Sequence, residues 1–200
     1  MESISVSDKL TVLTNHYSET FLNLKDSLKS RNRLFLYMVI VISIMLFKIY
    51  SPIDFADSVS KIISNKFGLS ESIDITFIET IIWISLLGIT IRYFQTVIYI
   101  ENQYTYIHQT EDKINSILGS DFFTREGKSY LENYPMFSTW IWILYTIVYP
   151  ILLGMIIISK IVNECKLNTE ISILFGVNIA IFLSIMISII LYLILIHFKK

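Results

Sequence analysis

Four long apolar stretches constrain this chain more than any other feature: Leu34–Tyr50, Ile75–Ile91, Thr139–Ser159 and Ile171–Ile196. About 20 mostly apolar residues at a rise of 1.5 Å cross the roughly 30 Å hydrocarbon core of a bilayer. Two of the stretches meet that length outright, and the other two meet it with their aromatic flanks. In a chain of 200 residues this leaves little for a soluble domain. The runs are continuous rather than alternating, which argues against a transmembrane β-barrel. The expected fold is therefore all-α: a polytopic membrane protein with four transmembrane helices.

Composition agrees. Hydrophobic residues make up 54% and charged residues 16% of the chain, and the mean hydropathy is +0.60, whereas soluble domains carry about 25% charge. Isoleucine dominates the spans. Its β-branching disfavours helix in water, but a bilayer forces every backbone group into internal hydrogen bonds and overrides that preference. The first apolar run starts after residue 33, too late for a cleavable signal, so span one is expected to be its own insertion signal. Cys165 is the only cysteine, which rules out a disulfide within the chain.

The expected order is a cytoplasmic amphipathic helix (1–33), span one (34–50) and an outer loop with a short amphipathic helix (51–74). Span two (75–100) follows, then a cytoplasmic helix extension and loop (101–136) and span three (137–159). An outer loop (160–170), span four (171–197) and a cytoplasmic tail (198–200) complete it. Lys25, Lys29, Arg31, Arg33, Arg92, Lys113, Arg125, Lys128, Lys199 and Lys200 fall on one side of this arrangement. Lys48, Lys61, Lys66, Lys160 and Lys166 fall on the other. The positive-inside rule then places both termini in the cytoplasm.

Apolar residues at Val6, Leu10, Leu13, Tyr17, Phe21, Leu24 and Leu28 share one helical face, with Ser5 or Ser7 as the cap. The opposite face is of mixed sign, which suits packing against protein better than lying on anionic lipid. Ser51-Pro52 is a cap followed by a first-turn proline, and Gly68 ends the amphipathic run Phe55, Val59, Ile62, Ile63 and Phe67. Span two is expected to continue as one long helix to a stop at Gly119. Its extension carries Ile100, Ile107 and Ile114 seven apart, a packing seam whose natural partner is the Val6–Leu28 helix.

Several residues are candidates for function. Glu79 and Arg92 are thirteen residues apart on helix two, about 20 Å, less than the hydrocarbon thickness. Each is expected to snorkel to its own interface; if Glu79 instead faces a central axis, a carboxylate ring in an oligomer would select cations. In span four Ser172, Gly176, Ala180, Ser184 and Ser188 recur every four residues, a stripe that lets helix backbones approach within or between subunits. Asn178 lies near it as an interhelical hydrogen-bonding group. Span three repeats the stripe in Thr146, Pro150 and Gly154, and Pro150 is a candidate hinge. The 120–135 loop mixes charges with aromatics, and Phe122, Phe123, Arg125, Tyr130 and Tyr134 are candidate contacts for a partner. Trp140 and Trp142 are expected to anchor span three at the membrane boundary.

No cofactor or metal is expected. The tetrads His16-Tyr17-Ser18-Glu19 and His108-Gln109-Thr110-Glu111 are read as polar helix faces rather than as a metal site. The chain has no phosphate loop, nucleophile elbow or cysteine–histidine pair with plausible spacing, so an enzyme is not expected. A net charge of −1 without a basic stripe argues against direct nucleic-acid binding.

In chain length, span count and cytoplasmic helical extensions the plan resembles small multi-span membrane subunits of bacterial anti-phage systems, such as the four-span component of Kiwa. The resemblance implies a bacterial inner-membrane subunit that works with a soluble partner or perturbs the membrane itself. Together with the residues it leads to two expectations. One is a non-enzymatic homo-oligomer in the lipid bilayer that anchors or senses and signals to a cytoplasmic protein. The other is an oligomeric ion channel or depolarising effector lined by Glu79, Arg92 and Asn178.

Overall fold

In the computed structural model, which describes residues 5–67, 75–119, 136–167 and 172–198, every regular element is helical. The order is α1 (Val6–Tyr50), α2 (Pro52–Phe67), α3 (Ile75–Leu118), α4 (Met136–Ile143), a π-helical turn (Leu144–Val148), α5 (Tyr149–Leu167) and α6 (Ile173–Phe198). Four of these helical stretches are long and apolar enough to cross a membrane. The chain is a multi-pass helical membrane protein.

Local chemistry sets the helix ends. Ser5 Oγ accepts from the Asp8 amide at 3.1 Å and donates to the Asp8 carboxylate at 2.7 Å, a closed N-cap on α1. Ser51 alone separates α1 from α2, and Pro52 takes the first-turn position where its missing N–H costs nothing. Gly119 ends α3 at φ +68°, with its amide on the Asn115 carbonyl at 3.0 Å. Ser172 caps α6 by accepting from the Phe175 amide at 3.1 Å.

α3 keeps one face buried along its length, and α1 buries residues from Thr20 onward. On α3 that face is Glu79, Leu86, Tyr93, Ile100, Ile107 and Ile114, seven residues apart and all buried. Trp83, Thr90 and Val97 lie alongside, also seven apart. On α1 Leu24, Met38 and Met45 are buried, separated by fourteen and seven residues. This 3.5-residue spacing is the seam of left-handed helix packing. The amphipathic N-terminal helix and span one are thus one continuous helix of 45 residues, and span two with its extension one of 44.

The residues group into two compact units. The first comprises residues 1–33 and 95–144. In it the N-terminal part of α1 pairs with the C-terminal part of α3 through Leu24, Ile100 and Ile107, flanked by Tyr17 and Leu28. Tyr17 Oη donates to Glu111 Oε1 at 3.1 Å, and His16 Nε2 lies 2.7 Å from Tyr106 Oη. Trp142 Nε1 donates to Glu101 at 3.1 Å, a polar contact within this unit.

The second unit comprises residues 34–94 and 145–200. Its core is built from Met38, Met45, Trp83, Leu86, Leu153, Ile157, Ile185 and Tyr192. Phe94 stacks on Tyr192 with ring centroids 4.1 Å apart. α5 packs closely on α6, where Gly154 faces Ile189: a Cβ at Gly154 would lie 3.8 Å from the isoleucine tip.

Span three differs from expectation at its C-terminal end. It continues past residue 159 through Leu167, so Lys160 and Glu164 belong to the helix rather than to an outer loop. Being four residues apart they share a face and neutralise each other, which lets the helix go on. At its start Pro150 has no N–H and would collide with the carbonyl four residues back in a regular α-helix. The π-turn immediately before it opens the register and removes that collision.

Candidate functional site: a buried ion-pair network

The second unit holds a cluster of charged side chains in an apolar surround. Lys160 Nζ lies 3.1 Å from Glu79 Oε1 on α3 and 2.7 Å from Glu164 Oε1 on its own helix. Lys48, in the last turn of α1, also pairs with Glu79. Trp83 Nε1 donates to Glu164 Oε1 at 3.0 Å, and Asn178 Nδ2 to Glu164 Oε2 at 3.5 Å. Glu79, Lys160, Glu164 and Asn178 are each at most 5% exposed. Four helices therefore meet at one polar point.

The seams explain why these side chains converge. Glu79 stands on the same seven-residue series as Leu86 and Tyr93, four residues before Trp83. On α5, Thr146, Leu153 and Lys160 are seven apart, as are Pro150, Ile157 and Glu164, and all six are buried. On α6, Asn178, Ile185 and Tyr192 follow the same step. Each charged or polar group occupies a core position of its helix. Two lysines and two glutamates balance, so the cluster places no net charge in the membrane. Ionisable groups in the bilayer are costly and face the bundle interior in pairs. Breaking one such pair by removing a partner costs roughly 3–5 kcal/mol, because the other charge is left buried alone.

Glu79 and Asn178, singled out from the sequence, are brought into this one network. Arg92 is exposed and lies outside it. Glu79 does not snorkel on its own; basic groups from two other helices meet it. The small-residue stripe does not pack within the chain: Ser172, Gly176, Ala180 and Ser184 are exposed and Ser188 half-buried. A four-residue step winds about 40° per repeat around the helix axis and so leaves the seven-residue seam, which is what the bundle buries. Ser184 and Ser188 instead return their hydroxyls to the carbonyls four residues earlier, at 2.8 and 2.7 Å. The shorter stripe on span three does face inward, with Thr146, Pro150 and Gly154 buried. Phe122, Phe123, Arg125, Tyr130 and Tyr134 lie outside the described residues.

Lys48 and Trp83 carry no mark in the sequence that sets them apart within their spans, and Lys160 and Glu164 read there as residues of the 160–170 loop. Carrying the Ile100–Ile107–Ile114 repeat back by sevens to Tyr93, Leu86 and Glu79 gives the signal for the inward face. Among the described residues no group of three or more metal-type side chains gathers.

Fold and site together define the class: a four-span helical membrane protein whose spans share a buried, charge-balanced network. The chain matches no protein-family model, no curated protein and no solved structure.

Proposed function

We propose that the protein is a non-enzymatic, oligomeric subunit of a bacterial inner membrane that anchors or senses there and passes a signal to a cytoplasmic protein partner. One observation carries this reading. α1 and α3 each contribute to both compact units as single uninterrupted helices. At about 65 Å each, they are twice the length a hydrocarbon core requires. A change in how the spans pack would move the same helices that form the polar pair.

The positive-inside argument grows stronger with the cluster in view. Lys48 and Lys160 are engaged with buried carboxylates and drop out of the outer tally, leaving Lys61, Lys66 and Lys166 there. This supports cytoplasmic termini and a cytoplasmic helix pair. That pair leaves Val12, Leu22, Tyr104 and Tyr106 exposed at 40% or more, apolar surface that a protein partner would cover. The likeness in plan to anti-phage membrane subunits supports a role in defence against phage.

The second reading, an ion channel or depolarising effector, draws on the charged groups within the spans. The first is favoured because Glu79 and Asn178 sit in a network whose charges balance inside one chain. Purification in lipid nanodiscs, with oligomeric mass and co-purifying host proteins identified, tests the choice. A stable complex with a soluble cytoplasmic protein supports the signalling subunit. A monomer without partner overturns it, and ion flux from liposomes holding the purified oligomer transfers support to the channel.

A further inference from the structure

The ion-pair network divides into two parts, each neutral. Lys48 on α1 pairs with Glu79 on α3. Lys160 and Glu164, both on α5, pair with each other, and Asn178 of α6 joins them. At the cluster Lys160–Glu79 and Trp83–Glu164 cross from the α1/α3 side to the α5/α6 side, and Lys48 also neighbours Lys160 and Glu164. If α5 parts from α3, Lys160 keeps Glu164 and Glu79 keeps Lys48. No charge is left alone in the membrane, so the large penalty for orphaning a buried ion does not apply.

At the π-turn the Tyr93 hydroxyl donates to the Tyr145 carbonyl; beyond it the contacts across this seam include the aromatic pairs Trp83–Phe182 and Phe94–Tyr192. Lipid tails are as apolar as the side chains they would replace, so these aromatic pairs resist separation only through packing. The same helix α5 carries an irregular register at its other end, in the π-turn Leu144–Val148 followed by Pro150. Such points are where helices bend. Close packing of α5 on α6 keeps those two helices together as one body.

We infer that the network is a conformational latch: α5 and α6 swing as a unit from α1 and α3 about the π-turn and Pro150, and Lys160–Glu79 with Trp83–Glu164 is the catch. Lys160 is ten residues from Pro150, a lever of about 15 Å. The inference concerns the spans alone and holds whether or not the protein signals to a partner.

Spin labels on the native Cys165, which is exposed on α5, and on Ile81→Cys, at an exposed site of α3 near Glu79, report the separation in nanodiscs. The expected result is a main distance with a minor longer one. Trp83→Phe removes one crossing bond without altering charge, and raises the longer population about three- to twentyfold. The exchange Lys160→Glu with Glu164→Lys keeps α5 neutral but sets like charges across the seam, and makes the longer distance dominant. Adding Lys48→Glu with Glu79→Lys restores opposite charges and returns the shorter one. A single unchanged distance in Trp83→Phe overturns the latch, and this variant decides alone if the exchange variants do not fold. A longer distance that the second exchange fails to reverse also overturns it.

Discussion

The phenol of Tyr93 donates to the backbone carbonyl of Tyr145 at 3.3 Å, and this bond supports the π-turn of span three. In the π register of Leu144–Val148 the Tyr145 carbonyl points to position 150, where proline has no N–H. Tyr93 is fully buried on α3 and supplies a donor from outside the helix. A sequence irregularity on one helix is thus made good by a side chain of another.

Tyr93→Phe is expected to destabilise the folded protein by about 0.5–1.5 kcal/mol, the net contribution of a typical hydrogen bond. In a Pro150→Ala background the amide at 150 is available again and the loss is smaller. A double-mutant cycle by reversible unfolding in bicelles measures the difference, with a coupling of at least ~0.5 kcal/mol expected. Equal losses in both backgrounds would show that Tyr93 acts by packing alone.

Single neutralisations in the ion-pair network should cost more than paired ones. Glu164→Gln or Lys160→Met alone is expected to lose roughly 3–5 kcal/mol, since each strands a charge in the apolar interior. Replacing both residues of this pair by methionine should cost less than the sum of the two. Unfolding midpoints of the two single variants and the double variant check this.

In the other compact unit, Leu24→Ala and Ile107→Ala remove buried side chains from the α1–α3 pair. Each is expected to weaken the pairing by about 2–4 kcal/mol. Amide hydrogen exchange should rise over residues 6–28 and 100–118 while α5 and α6 keep their protection. Uniform loss of protection would mean that the pair has no stability of its own.

Large residues on the exposed stripe of α6 should be tolerated where the same change on α5 is not. Gly176→Leu and Ser184→Leu are expected to alter chain stability by no more than ~0.5 kcal/mol. Gly154→Leu would overpack the α5–α6 contact and cost about 1–3 kcal/mol. Unfolding curves compare the three. Oligomeric mass on the same samples tests whether neighbouring copies use the stripe.

Much of this architecture was legible in the residues. The four spans follow from runs of apolar side chains, and the breaks at Ser51-Pro52 and Gly119 from backbone chemistry that neighbours do not change. The pairing of the helix extensions was visible in Ile100, Ile107 and Ile114. The network was visible only in part, through Glu79 and Asn178. Lys160 and Glu164 resemble loop residues after an apolar run, because a linear hydropathy pattern cannot tell a charge that ends a helix from one neutralised across it. The four-residue stripe on α6 was plain in the sequence, yet the bundle buries the 3.5-residue seam beside it.

By itself the sequence determined what depends on each segment and its solvent: helix everywhere that lipid forbids unpaired backbone, lengths matched to a bilayer, and ends set by serine, proline and glycine. Tertiary structure alone decided which charges are partners and which face of each helix is inside. Those are properties of pairs of helices, such as Lys160 meeting Glu79 from 81 residues away and Tyr93 donating to the Tyr145 carbonyl beside Pro150. In a medium as apolar as the side chains themselves, these polar meetings are what distinguish one packing of the spans from another.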